Sequence, residues 1–408
     1  MSTKPYYTST DLIEAVKRKA SIPISQNTFS DEDILKFANE EMFLAQVPSI
    51  LQFHEEYLVY EQDVPLVSDV SRYPIPNRAI GMKLRDVFYR SYTQGTISEN
   101  DTKANLVEMS KINPDDRAAF QVNNNSGSTP YHYYLQNNSV IVHPRVGKNP
   151  NGSLLFSYFL RPNSLVTNDR AAICTSFSRT VTLSANPSPG DTITIGSLVL
   201  TADTDFVIGG TTTVTTVNLA AAINAEGTYT ATNDTNITTI IYDNRSTVFS
   251  TDGVNIVLQS TITLNFDQVP SNITNGSLVD FLQTEGGHNT LKFDVKLTNN
   301  SVSATSITFS EANIHPDFII GDYVCSQYEC IIPQVPSDLH NLLAERTCAR
   351  VLESIGDQDG LKIVNIKIQE QEARQGTVLD NRVDGSPQKV FDRHSLLRSG
   401  SSRRNRGY

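Results

Sequence analysis

The sequence predicts an α+β protein in which helical segments at the two ends frame a β-rich middle. Apolar residues recur at three- and four-residue spacing within residues 1–56 and again from Ser337 onward, the period of a helix with one buried face. Between them, apolar and polar residues alternate in short runs bounded by Gly, Pro and Asn, the period of strands. From about 175 to 311 the vocabulary shifts to Thr, Asn, Ser and Val, and Arg179, Arg245, Lys292 and Lys296 are the only Lys or Arg residues. At 408 residues the chain exceeds the size at which one core usually stops growing, so several domains are expected.

The first element is a helix capped by Ser9 or Thr10, with Leu12, Ile13, Val16 and Ala20 on one face and Ile22-Pro23 ending it. A second helix starts at Ser30, with Asp33 three residues on and Phe29 placed as a hydrophobic staple. Asp31, Glu32 and Asp33 suit its positive end. Its stripe runs Ile34, Phe37, Ala38, Met42 and Ala45, Pro48 kinks or breaks it, and Ile50, Phe53, Tyr57 and Leu58 carry the period onward. A helical hairpin over residues 1–56 follows.

Residues 57–174 read as a β-layer, with strands in YLVYEQDVPLV, MKLRDVFYR, HYYLQNNSVIVHP and GSLLFSYFLRP. Residues 175–311 read as an inserted β-sandwich-like domain, its runs RTVTL, DTITIGSLVLT, ITTIIYD, VNIVLQSTITLNF and SVSATSITF spaced roughly ten residues apart. One helix is expected inside it, over 212–225. Residues 312–376 form a β return and a second helical hairpin. Ser337 and Asp338 open its first helix, the stripe is Leu339, Leu342, Leu343, Val351, Leu352 and Ile355, and Gly356 stops it. After DQDG, where Asp359 is the expected cap, LKIVNIKIQEQEARQ forms a helix closed by Gly376. Residues 377–408 are left as an extended arm.

No apolar run approaches the roughly 18 residues of a membrane span, and MSTKPYYTSTDLIEAVKRKA lacks a secretory apolar region, so synthesis in the cytoplasm and no membrane partner are expected. In that setting the Asn-x-Ser/Thr triplets at Asn151, Asn236, Asn272 and Asn275 follow from composition and carry no glycan meaning. Cys174, Cys325, Cys330 and Cys348 offer a single C-x4-C pair with no second pair and no clustered histidines, so reduced, partly buried thiols are expected and neither a metal nor a cofactor.

Chemistry-bearing motifs are missing from the sequence: no G-x-S-x-G, Walker A, G-x-G-x-x-G after a strand, or H-E-x-x-H. His54-Glu55-Glu56 has Leu58 where the second histidine would stand, and the histidines at 54, 132, 143, 288, 315, 340 and 394 fall in different segments. Asp357-x-Asp359-Gly360 lacks the later ligands of a calcium loop. Glu40-Glu41 and Glu55-Glu56 are adjacent rather than facing. The expectation is a protein that binds rather than an enzyme.

The net charge of −11 argues against nucleic acid as the general partner of the surface. It is unevenly spread. From Lys389 to Tyr408 six basic residues (Lys389, Arg393, Arg398, Arg403, Arg404 and Arg406) face Asp392 alone, so this stretch carries +5 and the remainder about −16. With Val390, Phe391, Leu396 and Leu397 as its only apolar anchors, the arm is expected to order on a partner, anchors in a groove and arginines on acidic side chains or phosphate.

TSTDLIEAVKRKASIPISQNTFSDEDILKFANEEM with VPLVSDVSRYPIPNRAIGMKLRDVFY resembles the opening of head-to-tail adaptor (connector, neck) proteins of short-tailed bacteriophages, including those of crAss-like gut phages. PSDLHNLLAERTCARVLESIGDQDGLKIVNIKIQEQEARQGTVLDNRVDGSPQKV resembles their closing segment. The likeness covers roughly residues 1–170 and 313–395. It implies a virion protein at the head–tail junction, assembled in the host cytoplasm into a ring of commonly twelve copies beneath the portal, joined to other tail or neck rings and leaving a channel for DNA ejection. Its helical hairpins and β-layer would form an adaptor-like core. Its arm would contact the portal through Val390, Phe391, Leu396, Leu397, Arg398, Arg403, Arg404 and Arg406. The insert departs from compact adaptors. GDTITIGSLVLT and DFVIGGTTTVTTVNLAAAINA look like modules of phage tail and fibre proteins, which makes the insert the candidate contact for fibres, capsid or another ring. The alternative from another class is a tail or fibre component whose insert binds host-surface glycan.

Overall fold

The computed structural model describes residues 7–22, 29–53, 55–91, 105–116, 132–143, 152–284, 290–298 and 300–378. Helix and strand are mixed throughout, and the helices lie at the two ends of the described chain with one exception.

Helix α1, Ser9–Lys19, opens on Thr8, one residue before the expected caps. Only Thr8 leaves an acid at the third helical position: its hydroxyl accepts from Asp11 N–H at 3.4 Å while the Asp11 carboxylate accepts from Thr8 N–H at 2.8 Å. Ser9 turns its hydroxyl to Asn168 Oδ1 instead, at 2.8 Å. Helix α2, Asp31–Glu41, is capped by Ser30 as expected, the hydroxyl accepting from Asp33 N–H at 3.2 Å. Phe29 stacks edge-on against Phe37, 6.2 Å between ring centres, fixing the entry of the chain.

Pro48 does not break the helical path. Met42–Gln46 forms one π-helical turn, in which Val47 N–H donates to Met42 C=O five residues back, and α3, Val47–Phe53, continues. The wide turn stands directly before the proline, whose ring and missing N–H would otherwise conflict with the Leu44 carbonyl. The helical path then tightens into one 3-10 turn at Glu55–Leu58, so the first strand begins at Val59 rather than Tyr57.

Across the chain, the 3-10 turn Ser337–Leu339 leads into helix α5, His340–Ile355, and helix α6, Gln358–Val378, follows; the internal helix Thr212–Ala225, at the predicted place, is α4. Gly356 ends α5 in the left-handed region at φ 84°, its N–H donating to Leu352 and Glu353 carbonyls. Two expectations are corrected here. Asp357, not Asp359, caps α6, accepting from Gly360 N–H at 3.0 Å, while Asp359 binds Lys362 Nζ. Gly376 does not close α6, which runs to Val378; one interior glycine costs about 1 kcal/mol relative to alanine and does not by itself stop a helix.

Helices α1, α2 and α6 all pack on α5. Leu12, Val16, Ile34, Ala38, Met42, Ile50, Leu343, Cys348 and Val351 form their common core.

The β-layer holds two small sheets. In the first, Val59–Pro65, Ser153–Leu160, Ala79–Ser91 and Asn105–Glu108 lie side by side, all antiparallel. In the second, Arg72–Pro74, Ser139–His143, His132–Gln136 and Ser110–Lys111 follow in that order. Asn137 and Asn138, both at φ 50°, make the tight turn of the hairpin, as that residue pair favours. Leu154, Phe156 and Tyr158 share one core with Tyr73, Tyr133, Val140 and Val142 of the second sheet.

The rest is organised by the 13-residue strand Ala171–Leu183. Its first three residues pair with Tyr323–Cys325, and the remainder pairs with Ile237–Tyr242 on one side and Ile256–Phe266 on the other. The eight-stranded sheet continues through Leu278–Leu282 to the edge strand Thr290–Lys296. A three-stranded sheet (Leu198–Thr201, Thr192–Ile195, Phe249–Asp252) and α4 share its apolar core, with Phe177, Phe281, Phe309 and Phe318 at the centre. Tyr323 and Cys325 point into the helical core and Val324 into the β core, so one short strand contributes to both.

Candidate functional site

The most elaborate polar assembly among the described residues sits where these regions meet. Arg78, which directly precedes strand Ala79–Ser91, is 3% exposed. Its Nη2 donates to both oxygens of Asp280 at 2.9 Å and to Asp294 Oδ1 at 2.6 Å, and its Nη1 to Asn163 Oδ1 at 3.0 Å. Phe293 and Tyr328 cover the guanidinium, their ring centres 4.4 and 4.2 Å from its carbon. Asp280 is fully buried on strand Leu278–Leu282 and also accepts from Asn163 Nδ2 and from the backbone N–H groups of Asp294 and Tyr328.

Burial pushes the Asp280 carboxyl upward, while Arg78 and the two backbone N–H groups pull against it. Those donors all address an ionised carboxylate. Asp294 and Tyr328 hold left-handed backbone at φ 53° and 65°, and each is anchored there by its N–H to Asp280. The assembly therefore fixes geometry: it ties the β-layer, the β-rich region and the 327–334 return to one buried charge pair.

Beside it lies a cleft of about 830 Å³ between the β-layer and the edge strand Thr290–Lys296, walled by Tyr60, Asp63, Arg90, Phe293 and His315. Its cations are engaged: Arg78 with Asp294, Arg90 with Asp63, and Lys292 Nζ with the Ala312 carbonyl at 2.7 Å. His315 Nδ1 accepts from Asp317 N–H at 3.2 Å.

The structure brings two of the scattered histidines together: His132 and His143 are cross-strand partners at the open end of their hairpin. His340 is buried, its Nε2 3.1 Å from the Val335 carbonyl and its ring beside Tyr7, and His54, His288 and His394 lie outside the described residues. All four cysteines are buried and free, and burial raises each thiol, to about 11 for Cys348 and about 12 for Cys174. No group of three or more His, Cys, Asp or Glu that could hold a metal occurs among the described residues. No described helix is long and apolar enough to cross a membrane.

The arm residues expected to contact a portal (Val390, Phe391, Leu396, Leu397, Arg398, Arg403, Arg404 and Arg406) lie outside the described residues. On the helical framework itself several large apolar side chains are uncovered: Leu44 is 71% exposed, Ile363 and Ile366 58% each, with Ile355 and Phe53 less so. Surfaces of this kind are what association covers. No protein family matches the chain, and a search of curated proteins gives no match.

Proposed function

We propose that this chain is a structural virion protein: the head-to-tail adaptor of a short-tailed bacteriophage, forming a ring beneath the portal and linking it to the tail around a DNA channel. The observation that carries the reading is the helical framework. Residues 9–53 and 337–378, separated by most of the chain, close into one core and leave Leu44, Ile363 and Ile366 uncovered on its outside. The two segments resembling adaptor proteins are those that meet there. A framework closed by both ends of the chain can carry a large β-rich body in the middle without opening its own core, which suits an adaptor with an added outward module.

In this reading the work is binding. Helical sides pack between subunits, and the basic arm latches the portal with Val390, Phe391, Leu396 and Leu397 in grooves and Arg398, Arg403, Arg404 and Arg406 on acidic groups. The β-rich region projects toward fibres, capsid or another ring. The acidic body suits a lumen through which DNA must pass without sticking, because basic walls would hold its phosphates.

Electron microscopy of the purified protein mixed with its portal tests this. Stacked rings are expected, and a chain lacking residues 377–408 is expected to lose portal attachment. A protein that stays monomeric and ignores the portal overturns the reading.

A further inference from the structure

Two faces of the helical framework are unpartnered, and they differ in charge. On α6 the inward stripe is Leu361, Val364 and Ile368, packed on the framework core. The opposite face presents Ile363, Ile366, Lys367, Glu370 and Arg374, all exposed. Lys367 and Arg374 form no ion pair among the described residues, so this face is apolar with a margin that is basic on balance, two cations against Glu370.

The second face runs along α2 and α3. Glu32, Lys36, Glu40, Leu44, Pro48 and Gln52 recur every four residues and every one is exposed, while Ile34, Leu35, Ala38 and Met42 face the core. Lys36 is taken by Asp33, whereas Glu32 and Glu40 form no ion pair among the described residues. This face is apolar at Leu44 with an acidic margin. The π-turn at Met42–Gln46 carries Leu44 outward in the middle of it, and such turns concentrate where a helix does something beyond packing.

We propose that these two faces bind each other between copies: α6 of one copy lies against α2–α3 of the next, Ile363 and Ile366 meeting Leu44, and Lys367 and Arg374 meeting Glu40 and Glu32. The occupant of each face is a second copy of this chain because the two surfaces complement one another in charge and in apolar character. Because they are different patches, the contact is heterologous, and a heterologous contact repeats from copy to copy, closing as a ring where the rotation between copies permits and otherwise running on as a filament. The inference rests on the ring reading above and names the surfaces that make the ring.

The test uses full-length variants that each disable one face: Ile363→Asp with Ile366→Asp, and separately Leu44→Asp. These side chains are more than half exposed, so melting curves near wild type are expected and verify folding. Mass and particle shape are read by native mass spectrometry and electron microscopy, alone and on portal rings. Wild type is expected to give rings; each variant is expected to lose them. Mixing the two variants leaves one live α6 face and one live α2–α3 face, so a 1:1 dimer that goes no further is expected.

Rings from either variant overturn the assigned surfaces while leaving the ring reading intact, and so does a Leu44→Asp chain that still pairs with itself. A wild-type chain that never forms rings, alone or on the portal, overturns both. Reversing Lys367 and Arg374 to Glu should abolish assembly at low salt and reversing Glu32 and Glu40 to Lys in the same chain should restore it; no restoration removes the charge pairing.

Discussion

The helical framework and the β-rich region satisfy their polar groups by different means. In the framework the links between helices include a set of ions, Lys19 with Glu345, and Glu41 between Arg346 and Arg350, with Arg346 reaching on to Glu372, beside a few neutral ones such as Gln46 Nε2 donating to the Leu339 carbonyl. In the β-rich region they are mostly neutral. Asn224 brackets Ala231, donating to its carbonyl and accepting from its N–H, Asn236 donates to the Leu183 carbonyl, and Thr216 donates to the carbonyls of Thr213 and Thr235. The difference follows from backbone accounting. A helix satisfies its own backbone except at the ends, so its side chains are free to make ion pairs across helices. Short strands leave many turn groups open, and only side chains that both donate and accept can close them. The Thr/Asn/Ser vocabulary of residues 175–311 is thus a consequence of many short connections.

The two regions are nevertheless stitched together, and breaking the stitching is the sharpest way to test the contrast. Phe281 is fully buried among Phe309 and Phe318, and its neighbour Leu282 belongs to the helical core. Phe281→Ala should cost about 3–5 kcal/mol. Hydrogen exchange should show α5 and strand Ile256–Phe266 losing protection together; two separate melting steps would show that the regions are independent units. Asp280→Ala, which takes away the fully buried partner of Arg78 and leaves it only the more exposed Asp294 and the amide of Asn163, should cost about 3 kcal/mol. Replacing Arg78 and Asp280 together by Leu should recover part of that loss, and no recovery would mean that Asp280 acts mainly through the backbone it holds at Asp294 and Tyr328.

What could be read from the sequence was local. The caps at Ser30 and Gly356 and α4 each depend on a few neighbouring residues, and each stands where those residues place it. The sequence misleads where a local signal is outweighed: Asp359 reads as the cap but Asp357 fills that place, and Gly376 reads as a stop that the helix passes. Strands Asn105–Glu108 and Ser110–Lys111 are too short and polar to carry a period. Strand Ala171–Leu183 runs straight through residue 175, where the vocabulary changes, because its pairing partners and not its composition decide its length. The Arg78 junction left no signal at all: its partners are 85, 202 and 216 residues away, and a lone Arg in a loop reads as solvated surface.

The thiols provide a gentler probe of the same contrast, since Cys348 lies in the framework core and Cys174 in the β core. Burial lifts Cys348 to about 11 and Cys174 to about 12 from an ordinary value of 9. A group whose folded value exceeds its unfolded one contributes stability that is whole below the unfolded value and is lost as pH rises through the folded one. Stability should therefore be level in this respect up to pH about 9 and fall between there and about 12. At neutral pH a thiol reagent should modify neither cysteine until the chain opens. Equal labelling rates would support one cooperative unit, and faster labelling of Cys348 would place the weaker region in the framework.

The smallest effects come from two glycines, and their ranking separates backbone strain from crowding. Gly253, in the β-rich region, has φ 138°, and a side chain there would meet Asp191 Cγ at 2.6 Å. Asp191 is itself held by accepting from Ser188 N–H at 2.8 Å, so Gly253→Ala must both strain the backbone and displace an engaged carboxylate. A loss of about 2 kcal/mol is expected. Gly356 has φ 84° and open space around it, so Gly356→Ala meets backbone strain alone, about 1 kcal/mol. Chemical denaturation measures both, and hydrogen exchange should confine the Gly356→Ala change to the α5–α6 turn. A larger loss at Gly356 than at Gly253 would mean that the turn sets the position of α6, and with it the Ile363 and Ile366 face, more tightly than its own contacts suggest.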